Sequence, residues 1–188
     1  MKSKQIHLSY YPRSGTTFFI KNSKILFPSS LIVSYATGNG IQKFLNNKSL
    51  FHFSIIRNPV DLISSEVTLE MMKNVESVNR IEYRSIKRID LLENFYNSIK
   101  ENEHVSIFDF NDLVLKPKEL FSYLAKNNDV QLNNKDIVKV SPMPNVFFAS
   151  AKEVESYEKV RDVILNNVDL YKINKMYDEL INKKFAIS

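Results

Sequence analysis

The segment Tyr11-Pro12-Arg13-Ser14-Gly15-Thr16-Thr17 has the residue types needed to hold an oxyanion. Gly15 lets backbone approach a ligand closely, while Ser14, Thr16 and Thr17 carry hydroxyl donors and Arg13 adds a permanent charge with several N–H donors. A helical pattern begins directly afterwards, so that helix's unpaired N–H groups and the positive end of its dipole fall in the same place. The turn is therefore a natural seat for an anion. The same residues also describe a capped helix with a surface arginine, and local chemistry alone leaves both readings open. A nucleoside triphosphatase loop is excluded: G-x-x-x-x-G-K-[ST] needs two glycines five apart and a Gly-Lys pair, whereas the glycines here are Gly15, Gly38 and Gly40.

The elements that must position this turn read as strands alternating with helices, which predicts an α/β domain with a mainly parallel central sheet flanked by helices. Strands are expected at Ile6 to Tyr11, Leu31 to Tyr35, Phe51 to Ile56 and Val105 to Phe110. Phe51 to Ile56 is apolar at nearly every position, as a strand covered on both faces should be. Helices are expected at Thr16 to Ile25, Ile41 to Leu45, Pro59 to about Met72, Ser85 to Lys100, Pro117 to Lys126, Lys152 to Asn166 and Val168 to Lys183. The turn after the first strand then lies at the carboxyl edge of the sheet, where open α/β sheets bind ligands. No linker-like stretch divides the chain, so residues 1–188 are expected to form one domain.

Composition sets outer bounds. The 188 residues are 44% hydrophobic and 25% charged, close to the globular average, which rules out a wholly disordered or fibrous chain. The absence of cysteine excludes disulfides, thiolate zinc sites and a cysteine nucleophile. No His/Asp/Glu cluster has the spacing of metal ligands, so no metal is expected. The balance of 26 Lys+Arg over 21 Asp+Glu gives +5, a mild bias toward anionic partners. The start of the chain lacks the apolar run of a signal peptide and no segment approaches the roughly 18 to 20 residues of a membrane span, so a cytoplasmic protein without a membrane span is expected.

Pro12-Arg13-Ser14-Gly15-Thr16-Thr17-Phe18 resembles the 5′-phosphosulfate loop, approximately P-[KR]-S-G-T-T-[WFL], of sulfotransferases that use 3′-phosphoadenosine 5′-phosphosulfate (PAPS). A second motif of that family is a strand ending in R-N-P-x-D with a serine eight residues after the arginine, and Arg57-Asn58-Pro59-Val60-Asp61 runs on to Ser65. A softer likeness lies in Val105 to Pro117, which is similar to the family's strand followed by Y-E-D-L-x-x-x-P. The first two motifs, in order and spacing, make the resemblance specific.

The resemblance implies a P-loop-like phosphosulfate-binding loop after the first strand and transfer of a sulfonate group from PAPS to an acceptor hydroxyl or amine, leaving PAP. It implies that Ser14, Gly15, Thr16 and Thr17 hold the 5′-phosphate and that Arg13 reaches the bridging oxygen, where charge develops as the sulfur–oxygen bond breaks. Arg57 and Ser65 would bind the 3′-phosphate; a surface ion pair of Arg57 with Asp61 is the plain alternative. Phe18 stands where the family often sets an aromatic against adenine, and Phe110 takes the place of the tyrosine in Y-E-D-L. Either ring serves equally as core. Asp112 reads as a cap or turn residue.

The general base is the departure. Twenty-two residues before Arg57, where many cytosolic members place a histidine, stands Tyr35. His7, His52 and His104 fall elsewhere and read as structural or surface residues; His52 lies ~16 Å from Arg57 along its strand. Glu66 and Glu70, on the helix after Arg57, and Tyr35 itself remain as candidates. The acceptor is expected to be a small molecule or glycan chosen by the loops at Asn74 to Ser85 and Ser141 to Ser150. Two other readings compete: a PAP- or PAPS-binding protein without fast turnover, and a basic nucleic-acid-binding module built on Arg80, Arg84, Lys87 and Arg88, for which no known motif speaks.

Overall fold

The computed structural model describes residues 5–26, 31–35, 45–71, 77–127, 140 and 151–184. Four strands, β1 (Ile6–Tyr10), β2 (Leu31–Tyr35), β3 (Phe51–Ile56) and β4 (Val105–Asp109), form one sheet in the order β2-β1-β3-β4. Every neighbouring pair is parallel, as βαβ connections require. The described helices are α1 (Thr16–Leu26), α2 (Pro59–Met71), α3 (Val78–Lys100), α4 (Phe110–Leu115), α5 (Pro117–Asn127), α6 (Ala151–Asn167) and α7 (Tyr171–Asn182).

Strand alternation sends the core to both faces of the sheet. Ile6 and Leu8 of β1 and Phe53 and Ile55 of β3 pack with Phe19 of α1 and Phe121 of α5. On the other face Ile56, Val105 and Ile107 pack against α2, α3, α6 and α7 through residues such as Ile63, Leu92 and Ile164. That second face also buries the polar residues of β1 and β3. His7 and Ser9 of β1 lie level with His52 and Ser54 of β3, and all four are buried. Their Nδ1 atoms place His7 and His52 2.8 Å apart, and Ser54 Oγ donates to the Ser9 carbonyl at 2.9 Å.

Five boundaries differ notably from the sequence reading. β1 stops at Tyr10, one residue early, and α1 runs one residue further, to Leu26. α3 begins at Val78 rather than Ser85, so most of the expected loop at Asn74 to Ser85 is helix. Its first two turns carry one buried apolar residue, Ile81, too few to show a helical stripe. Phe110 opens α4 instead of closing β4, because the Asp109 carboxylate caps that helix and Asp112 reaches back to the Asp109 N–H. Such a reciprocal cap satisfies two otherwise orphaned donors and ends the strand. α7 starts at Tyr171, not Val168. The expected helix at Ile41 to Leu45 and the loop at Ser141 to Ser150 lie outside the described residues, apart from Leu45.

The order β2-β1-β3 fixes where a ligand can sit. The chain leaves β1 toward β2 on one side and later enters β3 on the other, so the two connections diverge and leave a crevice at the carboxyl ends of β1 and β3. Arg13 follows β1 and Arg57 follows β3, which brings both to that crevice.

Candidate functional site

The turn between β1 and α1 is shaped by two residues in the left-handed backbone region, Arg13 (φ 67°) and Gly15 (φ 79°). For Gly15 this conformation is free of steric cost. A Cβ there would also meet Leu113 Cδ2 at 2.7 Å and Phe110 Cε2 at 3.0 Å, so two side chains of α4 occupy its open side. For Arg13 the same region costs about 1 to 3 kcal/mol, and two contacts offset it. The Arg13 carbonyl accepts from Arg57 Nη1 at 2.9 Å, and Arg13 Nε donates to Ser65 Oγ at 3.0 Å. Ser14 is fully buried and its hydroxyl donates to the Tyr11 carbonyl at 2.6 Å, closing the turn from within. The Gly15 carbonyl accepts the first helical bond, from the Phe19 N–H at 3.1 Å.

Arg57 sits at the end of β3 with its guanidinium over the Phe110 ring, 4.5 Å from the centroid. Its backbone is pinned from α3, where the Tyr96 hydroxyl donates to the Arg57 carbonyl at 2.9 Å. Asp61 does not pair with it. The Asp61 carboxylate accepts instead from the Tyr157 hydroxyl (3.1 Å) and Arg161 Nε (3.5 Å) of α6. Burial, followed by the Asp61 charge, pushes the Tyr157 phenol up to about 12, so it stays protonated as that donor. Among the described residues no carboxylate lies within ion-pair distance of Arg13 or Arg57. Burial pulls both guanidinium groups below their ordinary value, and for Arg57 the like charge of Arg13 adds to it.

Glu66, one residue beyond Ser65 on α2, is buried beside Arg13 rather than turned to solvent. Its Oε1 lies 3.3 Å from Arg88 Nη1 of α3, while its Oε2 is buried with no hydrogen-bond partner. Burial raises the Glu66 carboxyl above its ordinary value; Arg88, the Tyr11 hydroxyl and Arg13 work against that rise. Glu70, one turn on, pairs with Arg88 and with Arg84. Arg84 and Arg88 are therefore engaged with carboxylates of α2, and the supposed nucleic-acid face of α3 is charge-compensated there.

Two hollows open at this edge. One, of about 210 Å³, is lined by Arg57, Asn58, Asp61, Asp109, Phe110 and Asn111 among others. The other, of about 430 Å³, is lined by Pro12, Arg13, Glu66, Leu69, Glu70 and Arg84.

No family model and no curated protein matches the chain. A solved structure does, that of mouse sulfotransferase SULT7A1 complexed with PAP, with a TM-score of 0.50, 11% sequence identity, and coverage of 95% of this chain and 90% of that one. At that identity the likeness is one of fold. The fold is sulfotransferase-like.

On this sulfotransferase-like fold Arg13, Ser14, Gly15, Arg57, Ser65, Glu66 and Phe110 form one connected group. Thr17 is exposed on the first turn of α1, and Phe18 is half-buried against the core beside it. Thr16 opens α1. Tyr35 ends β2 level with Tyr10, so its backbone stands at the same edge of the sheet. His7 and His52 lie at the far half of their strands, held by one another. Sequence reasoning gave Arg88 to a nucleic-acid face and assigned no role in the site to the Tyr11 and Tyr96 hydroxyls. A signal for the first was available: Glu66 and Glu70 are four apart, as are Arg84 and Arg88, and two helices with that matching spacing can pair face to face.

Proposed function

We propose that the protein transfers a sulfonate group from PAPS to an acceptor hydroxyl or amine. The observation that carries this reading is the pair of guanidinium groups at the crevice between β1 and β3, partly stripped of water and, among the described residues, with no carboxylate within ion-pair distance; Glu66 and Glu153 act on Arg13, and Asp61 on Arg57, only from further off. Buried cations without a close counter-charge are costly, and a ligand with two separate anionic ends reduces that cost. The resemblance of both motifs and the fold match to a sulfotransferase complexed with PAP support the same assignment.

In this reading the N-terminus of α1, with the N–H groups of Ser14 to Thr17, receives the 5′-phosphate. Arg57 and Ser65 receive the 3′-phosphate, and the Phe110 edge of the smaller hollow receives the base. Arg13 neutralises charge on the bridging oxygen as it becomes the leaving oxygen of PAP, and Glu66 accepts the proton released by the acceptor as its oxygen or nitrogen bonds to sulfur. Glu66 is preferred over Tyr35 because its Oε2 lacks a partner beside Arg13. The acceptor enters the larger hollow.

The test is a thermal-shift comparison of PAP with AMP, followed by transfer from radiolabelled PAPS to a panel of acceptors. PAP at 100 times its dissociation constant adds ~2.7 kcal/mol to the folded state, and AMP, lacking the 3′-phosphate, adds much less. Equal stabilisation by both removes the 3′-phosphate site; PAP binding with no transfer to any acceptor leaves a PAPS-binding protein in place of an enzyme.

A further inference from the structure

Resting on the reading of Glu66 as the base, the groups behind that carboxylate acquire a role. Arg88 reaches across from α3 and divides its guanidinium between two carboxylates of α2, with Nη1 at 3.3 Å from Glu66 Oε1 and Nη2 on Glu70 Oε1. Arg84 holds the remaining Glu70 oxygen at 2.5 Å. The Arg88 backbone is tied to the ligand loop, because the Tyr11 hydroxyl approaches the Arg88 carbonyl at 3.4 Å as well as the Glu66 carboxyl. Glu66, whose side chain lines the same hollow as Arg13, is thus gripped on one oxygen while the other is buried without a hydrogen-bond partner.

We propose that Arg88 is the positioning residue of this site: it holds Glu66 as a carboxylate, with one oxygen fixed and the other left without a partner to take the acceptor's proton. The physical need is plain. A carboxyl this buried favours its neutral form, and a protonated Glu66 cannot take a proton. The charged and titratable groups around it are Tyr11 and Arg13 from the loop, Glu70 from its own helix, and Arg84 and Arg88 from α3; from α6, Glu153 acts on Arg13. Arg88 is the cation in contact with Glu66, whereas Arg84 contacts Glu70.

The experiment follows the Glu66 carboxyl directly. The full chain, carrying ¹³C-labelled glutamate and assigned with Glu66→Gln, is titrated by NMR as wild type, Arg88→Gln and Arg88→Lys, and the pH dependence of turnover with radiolabelled PAPS is measured beside it. Arg88→Gln should raise the Glu66 midpoint by about one pH unit or more, and Arg88→Lys by about half of that. PAP affinity should stay within about threefold, since Arg88 touches no proposed phosphate ligand. The acid limb of the turnover profile should move upward with the midpoint, a change that mere loss of packing does not produce. An unmoved midpoint overturns the proposal, and so does a limb that stays while the midpoint moves. If Arg88→Gln does not fold, the smaller shift in Arg88→Lys decides. Absence of turnover in the wild type sinks the transfer reading separately; the titration then still decides whether Arg88 holds Glu66.

Discussion

The two ends of the β1–β3 pair bury polar groups in opposite ways. Toward the amino ends, His7 and His52 face each other across the register at 2.8 Å, and His52 Nε2 lies 2.8 Å from the Asn47 carbonyl. A carbonyl only accepts, so His52 Nε2 carries the hydrogen, His52 Nδ1 accepts, and His7 Nδ1 donates. Each proton in that chain has one destination. At the carboxyl ends the arithmetic is different. A guanidinium carries five N–H donors, yet among the described residues Arg13 and Arg57 each make a single side-chain hydrogen bond. The surplus of donors, added to a helix N-terminus, suits one end to the proposed anionic ligand, while the other is a piece of core. Burial alone does not tell them apart; the count of unsatisfied donors does.

The sharpest way to break this contrast is at Arg13. Arg13→Ala should cost about 100-fold or more in turnover, the scale of one lost oxyanion donor, while PAP affinity falls less, because the contact strengthens as the bond breaks. Arg13→Lys should recover part of the rate. A loss confined to binding would make the carboxyl end a docking site rather than a reactive one.

Arg57→Ala comes next. It removes one charge-assisted contact worth ~1.5 to 3 kcal/mol, so PAP titrations by calorimetry should show affinity lower by roughly tenfold or more, with AMP affinity almost unchanged. Equal losses for both ligands would mean that the variant disturbs the Arg13 carbonyl and the loop instead of the 3′-phosphate.

The histidine end should respond to pH and not to ligand. Burial, and then the charge of His52, lowers His7 to about 4 from an ordinary 6.5. A histidine with a lowered folded value stabilises the fold in its neutral form, so its contribution is complete above about pH 6.5 and is lost as pH falls toward 4. Melting curves should therefore drop by several degrees across that window. His7→Asn, which keeps a donor for His52, should flatten the drop and leave PAP affinity at neutral pH unchanged. A wild-type melting temperature indifferent to pH 4 to 6.5 would contradict the neutral pair.

The order of strands and helices and the place of the Arg13-Ser14-Gly15 turn between β1 and α1 were legible in residue types and spacing, because hydrophobic periodicity and turn chemistry are local properties; Ser65, read beside Arg57, accepts instead from Arg13 Nε. The early start of α3 was not legible, since residues 78–84 carry too little apolar signal. Nor was the switch from strand to helix at Phe110, which a reciprocal aspartate cap decides. Other assignments needed the third dimension. Gly15 looked small for the sake of a ligand, but its open side is filled by Phe110 and Leu113, nearly a hundred residues away. His52 looked like one polar interruption in an apolar strand until the parallel register set it opposite His7. Glu66 was equally suited to cleft or solvent on its own helix. Only the packing of α3 against α2, which brings Arg88 to one of its oxygens and leaves the other unpaired, turned it inward, because a long-range ion pair forms between groups that no local spacing along the chain connects.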